Sequence, residues 1–160
     1  MQPEPDKLAA LIDTARALDA AGVRYALIGG LAVGIHAAVP RATVDINVAA
    51  HARAGREVAV HALERAGFKK TGEFEHSVNF RHASGEPVQL AFDPEFDAMI
   101  ERAEGIEVAG TNIAIVRKED LITMKRRAAA DPSRRKSKRL RDQADVELLL
   151  GDVPDIDEGW

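Results

Sequence analysis

Residues 25–48 read YALIGGLAVGIHAAVPRATVDINV, and this stretch decides the fold. It opens with an apolar run that contains aromatic and β-branched side chains, which favours a strand. Apolar residues then continue without alternation up to Pro40, which is typical of a short buried helix stopped by proline. The last six residues alternate between polar and apolar side chains, as in a half-buried strand. The predicted elements are a strand over 23–28, a helix over 31–39 and a strand over 43–48.

Gly29 and Gly30 stand between the first predicted strand and the predicted helix. A glycine pair at such a junction lets the backbone approach a ligand closely, and it leaves the first helical amides aimed at an anion. A tight turn without any ligand uses the same pair. The pair therefore predicts either a turn alone or a turn that binds phosphates, and a triphosphate suits the second geometry.

Asp45 and Asn47 lie two positions apart in the second predicted strand, so both side chains point to the same face. Phosphoryl transfer uses Mg²⁺ to neutralise the triphosphate, and its sites collect oxygen ligands at such alternate positions. The chain has no cysteine, so any metal must be bound by oxygen or imidazole. The spacing therefore predicts a Mg²⁺ site with Asp45 and Asn47 as ligands.

The rest of the chain predicts one α/β (α+β) domain over residues 1–151, followed by an acidic tail over 152–160. With 160 residues, of which 46% are hydrophobic, the chain can bury one core without disulfides. We expect a mixed sheet flanked by helices, with a C-terminal helical hairpin. The further predicted elements are strands over 68–71, 78–81, 88–92, 106–109 and 113–116, the last two at a sheet edge, and helices over 6–21, 53–66, 118–130 and 137–150, with one more starting at Asp93-Pro94.

Charge is distributed unevenly along the chain. The segment Lys125–Arg141 carries nine basic residues and one acid, a net +8, which leaves -12 for the remainder of a chain whose total is -4. Such a segment favours an anionic partner, either nucleic acid or nucleotide phosphates. It is equally typical of a solvated helical hairpin. No stretch approaches the roughly 20 apolar residues that cross a bilayer, so we expect no membrane association and a cytoplasmic protein.

The stretch 25–48 resembles the signature of the nucleotidyltransferase superfamily: an apolar strand, Gly-Gly or Gly-Ser, a helix, then Asp-x-Asp or Asp-x-Glu. The chain looks most like the AbiEii-like toxin branch. This resemblance implies a fold that binds a nucleoside triphosphate (NTP), uses Mg²⁺ and transfers a nucleotide to an RNA or protein acceptor, with a neighbouring antitoxin as partner. The further matching segments are RAT at 41–43, FDPEFDAMIERA at 92–103, EDLITMKRRAA at 119–129 and KSKRLRDQADVELL at 136–149.

The resemblance also implies roles for individual residues outside the predicted metal site. In relatives, a lysine matching Lys125 reaches the phosphates or stabilises the fold beside them, and a point charge suits a triphosphate. A solvated lysine on a basic helix is the alternative, and Arg41 has the same two interpretations. The nucleotide-binding residues implied in this way are Gly29, Gly30, Arg41, Thr43 and Lys125.

The catalytic positions depart from the family pattern. The resemblance implies three carboxylates, but this chain has Asp45, Asn47 and, if residues 88–92 form the corresponding strand, Gln89. Two amides weaken a Mg²⁺ site, and an amide cannot act as the general base. Three interpretations remain: a weak one-metal enzyme, a nucleotide- or RNA-binding or assembly module without catalysis, or a different strand alignment.

Two acids in the last predicted helix lie beside the basic segment. Asp142 and Asp145 are spaced three apart beside the basic cluster. The predicted role of both is structural, through intrahelical or cross-helix ion pairing with Lys138, Arg139 or Arg141.

Overall fold

A computed structural model of the chain describes residues 4–39, 45–52 and 55–153. The helices are α1 (Lys7–Ala20), α2 (Gly29–Ala37), α3 (Arg56–Arg65), α4 (Asp97–Glu101), α5 (Lys118–Ala130) and α6 (Lys136–Leu149). The strands are β1 (Tyr25–Ile28), β2 (Ile46–Ala50), β3 (Lys69–Glu73), β4 (Ser77–Arg81), β5 (Pro87–Ala91), β6 (Glu104–Val108) and β7 (Thr111–Ile115). A short 3₁₀ turn, Pro94–Phe96, precedes α4.

The seven strands form one sheet in the order β3-β4-β5-β2-β1-β7-β6. Its pairing is mixed, because β2 pairs parallel with β5 and β1 pairs parallel with β7, while the other neighbours are antiparallel. This architecture confirms the predicted mixed sheet flanked by helices. Side chains alternate across the central strands, so one face is buried and apolar. The residues of that face include Ile46, Val48, Val78, Phe80, Val88 and Leu90.

Helix α1 begins and ends as its sequence predicts. The Asp6 carboxylate caps the helix by accepting a hydrogen bond from the Ala9 amide at 2.9 Å, and Gly22 adopts a positive φ just after the last turn. Two polar contacts fasten α1 to the β4–β5 hairpin: Lys7 pairs with Glu86, and His82 lies 2.6 Å from the Asp13 carboxylate. Glu86 is therefore directed away from the face that carries Asn47 and Gln89.

The C-terminal hairpin is packed into the same core as the sheet. Leu121 of α5 and Leu149 of α6 are fully buried members of the single hydrophobic cluster. Helix α6 packs against both α5 and α2. His36 of α2 lies within hydrogen-bonding distance, 2.7 Å, of the Val116 carbonyl oxygen, just beyond β7. These contacts fix α2 and the hairpin relative to each other.

Three predicted elements differ from the structure. The glycine pair does not form a separate turn, because α2 begins at Gly29 directly after β1. Strand β7 is an interior strand between β1 and β6, not an edge strand, because it pairs parallel with β1. The described part of β2 runs Ile46–Ala50, so Asp45 lies in a bend just before the strand.

The remaining predictions on boundaries concern the ends of the chain. Most of the predicted acidic tail, residues 154–160, lies outside the described residues, and the domain boundary at 151 stays a prediction. Across the described ranges, no helix is both long and apolar enough to cross a membrane.

Candidate functional site

The junction of β1 and α2 is built around Gly29. Its φ is +75°, and a Cβ added there would lie 2.8 Å from Asn47 Nδ2, so a side chain at this position would strain the backbone and displace Asn47. Gly30 is buried in the first turn of α2. No side chain caps this helix, since the residue before it is Ile28. The first amides of α2 are therefore not occupied by a side-chain cap and can face an anion.

A row of three amide side chains crosses the sheet beside this junction. Asn47 of β2 is the register partner of Gln89 of β5, and Gln89 is the partner of Asn79 of β4. Register partners share a face, so the three amides lie side by side. Gln89 Nε2 donates a hydrogen bond to Asn79 Oδ1 at 3.1 Å. Gln89 therefore lies on the strand next to β2, directly beside Asn47.

The other predicted residues of the segment lie at or before the start of β2. Asp45 is half-buried in the bend that precedes the strand, and it has interactions with neighbouring groups. Its carboxylate and the Asn47 amide both border the same cleft. Arg41 and Thr43, predicted to contact nucleotide, lie outside the described residues.

A cleft of about 990 Å³ joins these groups to the C-terminal hairpin. That volume is at the upper end of the range for a small-molecule site. The cleft brings together all the predicted site residues that the structure describes. Its polar lining consists of Gly29, Gly30, Asp45, Asn47, Gln89, Lys125, Arg134, Lys138, Arg141 and Asp142, and its apolar lining includes Ile28, Ala91, Phe96, Leu121 and Met124.

Lys125 lines the cleft but is held by acids. Its Nζ lies 3.2 Å from Asp142 Oδ1 and 3.0 Å from Asp145 Oδ2, and its side chain is only 14% exposed. Arg134 donates from Nε to the other Asp142 oxygen at 2.8 Å. The charge of Lys125 is thus matched within the protein, and the contact joins α5 to α6.

Asp142 and Asp145 have the predicted structural role, pairing with cations of the basic segment, but the ion pairs are formed with Lys125 and, for Asp142, Arg134 instead of Lys138, Arg139 or Arg141. Both carboxylates are almost fully buried, and a buried carboxylate is costly unless it is paired with an opposite charge. Lys125 provides that partner, whereas Lys138 and Arg141 stay exposed.

The cations that line the cleft, Lys125, Arg134, Lys138 and Arg141, form a basic wall, and Lys138 and Arg141 are its exposed part. They are three residues apart on α6, so they lie on the same helical face, and both line the cleft. Neither forms an ion pair with an acid in the described ranges, in contrast to Lys125 and Arg134. The predicted basic segment therefore places two cations, which form no ion pair with the acids that the structure describes, on the lining of the cleft that also contains Gly29.

The donor set of the cleft does not fit a two-metal site. Asp45 is one carboxylate, Asn47 and Gln89 are neutral amides, and Asp142 is engaged by Lys125 and Arg134. Mg²⁺ prefers charged oxygens in near-octahedral geometry. No cluster of three His, Asp or Glu side chains that could hold a metal occurs among the described residues. The one-metal site at Asp45 and Asn47 stays a prediction.

Sequence reasoning missed four residues of this site: Asn79, Arg134, Lys138 and Arg141. Asn79 could have been found, because a hairpin centred on Ser84-Gly85 sets it opposite Gln89. The three cations were inside the predicted basic segment, but only the packing of α6 against α2 shows which of its nine basic residues face the cleft.

Comparisons with known proteins agree with this architecture. The chain is similar in structure to the lincosamide antibiotic adenylyltransferase LnuA, with a TM-score of 0.63 and 15% identity over 95% of this chain and 100% of that chain. The antibiotic-resistance factor ANT(2'')-Ia has a TM-score of 0.63 and 16% identity over 91% and 84% of the two chains. A nucleotidyltransferase-like antigenic protein from Paracoccidioides brasiliensis has a TM-score of 0.58 and 19% identity over 97% and 81%.

No protein-family model matches the sequence, and no curated protein does. At identities below one in five, similarity of structure is similarity of fold. The chain therefore has the nucleotidyltransferase fold.

Proposed function

We propose that the chain binds an NTP in the cleft and transfers its nucleotide to an RNA or protein acceptor. The observation that carries the proposal is the meeting of the Gly29 junction, Asp45 and the basic wall in one cleft. The phosphates lie over Gly29 and Gly30, where the first amides of α2 donate to their oxygens. The fold adds support. LnuA, which shares the fold, is a lincosamide antibiotic adenylyltransferase, and ANT(2'')-Ia, which also shares it, has been solved in complex with adenylyl-2''-tobramycin.

The transfer step is a displacement at the α-phosphorus. An acceptor hydroxyl forms a new O–P bond, pyrophosphate leaves with the bonding electrons, and the hydroxyl proton passes to a base. Among the three positions Asp45, Asn47 and Gln89, only the Asp45 carboxylate can accept that proton near neutral pH. With a single carboxylate in place, we expect a slow reaction.

A toxin-like role with a neighbouring antitoxin belongs to the same proposal. Its support is the sequence resemblance over 119–129 and 136–149, which form most of α5 and α6. Expression in a bacterial host tests it: wild type should arrest growth, and Asp45→Asn should not. If both proteins allow normal growth at equal levels of expression, the toxin role is wrong.

A second candidate function is binding of nucleotide or RNA, or assembly with a partner, without catalysis. The observation that favours it is the amide row, because Gln89 is already hydrogen-bonded to Asn79 and carries no charge. An amide row of this kind binds polar groups but moves no proton.

One set of measurements separates these candidates. A fluorescent NTP is titrated into the protein, and a radiolabelled NTP is incubated with total RNA and with a protein extract. Binding with label transfer that Asp45→Asn abolishes, and that the exposed-acid control Glu57→Gln retains, supports the enzyme. Binding without transfer to either acceptor supports the second candidate. Absence of NTP binding contradicts the nucleotide-binding proposal.

A further inference from the structure

The charges that line the cleft are those of an anion site. Four cations line it, and two of them, Lys138 and Arg141, are not compensated by an acid in the described ranges. Of the two acids that line it, Asp142 is engaged by Lys125 and Arg134. A site that recruits a divalent cation needs the opposite balance, with several carboxylates converging on one point.

We propose that the cleft binds the polyphosphate of an NTP without a divalent cation, with Lys138 and Arg141 supplying the positive charge. This inference rests on the proposed function, since the ligand is the NTP named there. In this proposal the charge of the phosphates is neutralised by the side chains of Lys138 and Arg141 on α6, and not by a bound metal ion.

The position of Lys138 and Arg141 supports this role. Three residues of helix separate them by about 4.5 Å along α6, so they can engage neighbouring phosphate groups. Both side chains are exposed, and both border the cleft that also contains Gly29. Arg141 adds a planar fork that can bind a phosphate with two hydrogen bonds. The phosphates would lie between α6 and the first turn of α2.

The amides at positions 47 and 89 remove an obstacle to metal-free binding. If positions 47 and 89 carried carboxylates like that of Asp45, the three negative charges would repel a triphosphate that carries no Mg²⁺. Such repulsion is strong where water is restricted. The amide side chain of Asn47 borders the cleft, and its NH₂ group can donate to a phosphate oxygen. The exchange of two carboxylates for amides therefore disfavours metal and favours the bare anion.

Two other cations of the same hairpin provide a matched control. Arg135 and Lys136 are exposed and belong to the same basic segment, but neither borders the cleft. The double charge reversals Lys138→Glu/Arg141→Glu and Arg135→Glu/Lys136→Glu change the net charge of the protein equally. Only the position of the charge differs between the two variants.

The experiment measures fluorescent NTP binding with EDTA and with excess Mg²⁺, at low and at moderate salt. We expect wild-type affinity in EDTA to be within about threefold of the affinity in Mg²⁺, and to weaken as salt rises. In EDTA, Lys138→Glu/Arg141→Glu should bind at least about tenfold more weakly, and Arg135→Glu/Lys136→Glu within about threefold of wild type. Circular dichroism verifies that each variant is folded, and Lys138→Gln/Arg141→Gln replaces the first variant if it is not.

The outcomes separate this inference from the proposed function. Binding that requires Mg²⁺, or equal losses in the two charge reversals, overturns the inference and leaves the NTP-binding proposal standing. No binding under any condition overturns both. Metal-free binding that only the cleft-facing reversal weakens supports the inference, whether or not any label is transferred.

Discussion

Two features disfavour a side chain at position 29: the positive φ and the close approach of Asn47. Alanine substitutions at Gly29 and at Gly22 distinguish their contributions. Gly29 has φ +75° and an added Cβ would clash with Asn47, whereas Gly22 has φ +70° and no atom within 4 Å of the added Cβ. Gly22→Ala should lower the free energy of unfolding by about 1 kcal/mol, which is the strain of the left-handed conformation alone. Gly29→Ala should lower it by about 2–4 kcal/mol, because the Asn47 contact is added. Urea unfolding measures both, and equal losses would show that the contact can relax.

Tyr25 is the only tyrosine of the chain, so the ionisation of its phenol can be followed without interference from another tyrosine. Burial raises the pKa of the Tyr25 phenol above the ordinary 10.0, and the negative charge of Asp19 raises it further, although the hydrogen bond from the Ala114 amide acts in the opposite direction. The fold favours the neutral phenol, so its contribution to stability is full below pH 10.0 and is lost as pH rises through the raised pKa.

Tyrosinate absorbance during an alkaline titration tests this pKa directly. The midpoint for the native protein should lie above that of the urea-unfolded chain. Asp19→Asn should move the native midpoint downward, because it removes a negative charge near the phenol. Coincident native and unfolded midpoints would contradict the assigned role of burial.

At the scale of elements, the α5–α6 contact depends on Lys125. Lys125→Met removes the ion pairs to two buried carboxylates, and we expect a loss of about 2–4 kcal/mol in unfolding free energy. Lys138→Met is the matched control, because Lys138 is exposed and forms no ion pair in the described ranges, and it should change stability by less than about 0.5 kcal/mol. Equal effects on the urea midpoint would mean that the Lys125 cluster does not stabilise the hairpin.

The pairing of β2 with β5 allows a test of whether carboxylates at positions 47 and 89 create a metal site. Asn47 and Gln89 are direct register partners, so Asn47→Asp/Gln89→Asp restores carboxylates beside Asp45. Without metal, these like charges should lower the thermal midpoint. Added Mg²⁺ should raise it again by mass action, since the ion binds only the folded state. The control Asn79→Asp lies one strand farther from Asp45, and a comparable response to Mg²⁺ there would contradict the assignment.

The elements bounded by local signals could be predicted from the sequence. The Asp6 cap and Gly22 delimit α1, and Ser84-Gly85 forms the turn of the β4–β5 hairpin, because these signals act within a few residues. The sequence predicts β7 at the edge of the sheet, whereas it is an interior strand. Its parallel partner β1 is distant in the chain, so no local signal indicates the pairing. The partner of the buried acids was missed for the same reason, since Lys125 approaches them only after α5 folds against α6. The residue types alone therefore predict that the glycine pair and Asp45 belong to one site. Which other side chains line the cleft depends on contacts between elements that are distant in the chain.

At the scale of the whole molecule, the basic hairpin is held in place by acids that follow it in the chain. Asp142 and Asp145 lie beyond the segment Lys125–Arg141, and they compensate only its innermost cations. Of the four cations that line the cleft, Lys138 and Arg141 form no ion pair with an acid in the described ranges. Part of the charge separation seen in the sequence is thus a structural ion cluster, and the two cations proposed to bind the phosphates lie beside it on α6.

The same packing predicts that the sheet and the hairpin unfold together. Leu121 and Leu149 belong to the cluster that also contains the sheet residues, so removing α5 and α6 would expose the core to water. A fragment ending at Arg117 should show no cooperative unfolding, whereas the full chain should unfold in one cooperative transition. In the full chain, helical circular dichroism and Tyr25 absorbance should report one coincident urea transition. A folded Arg117 fragment, or two separate transitions, would instead make the hairpin an independent unit, and the cleft would then lie between two separately folding parts.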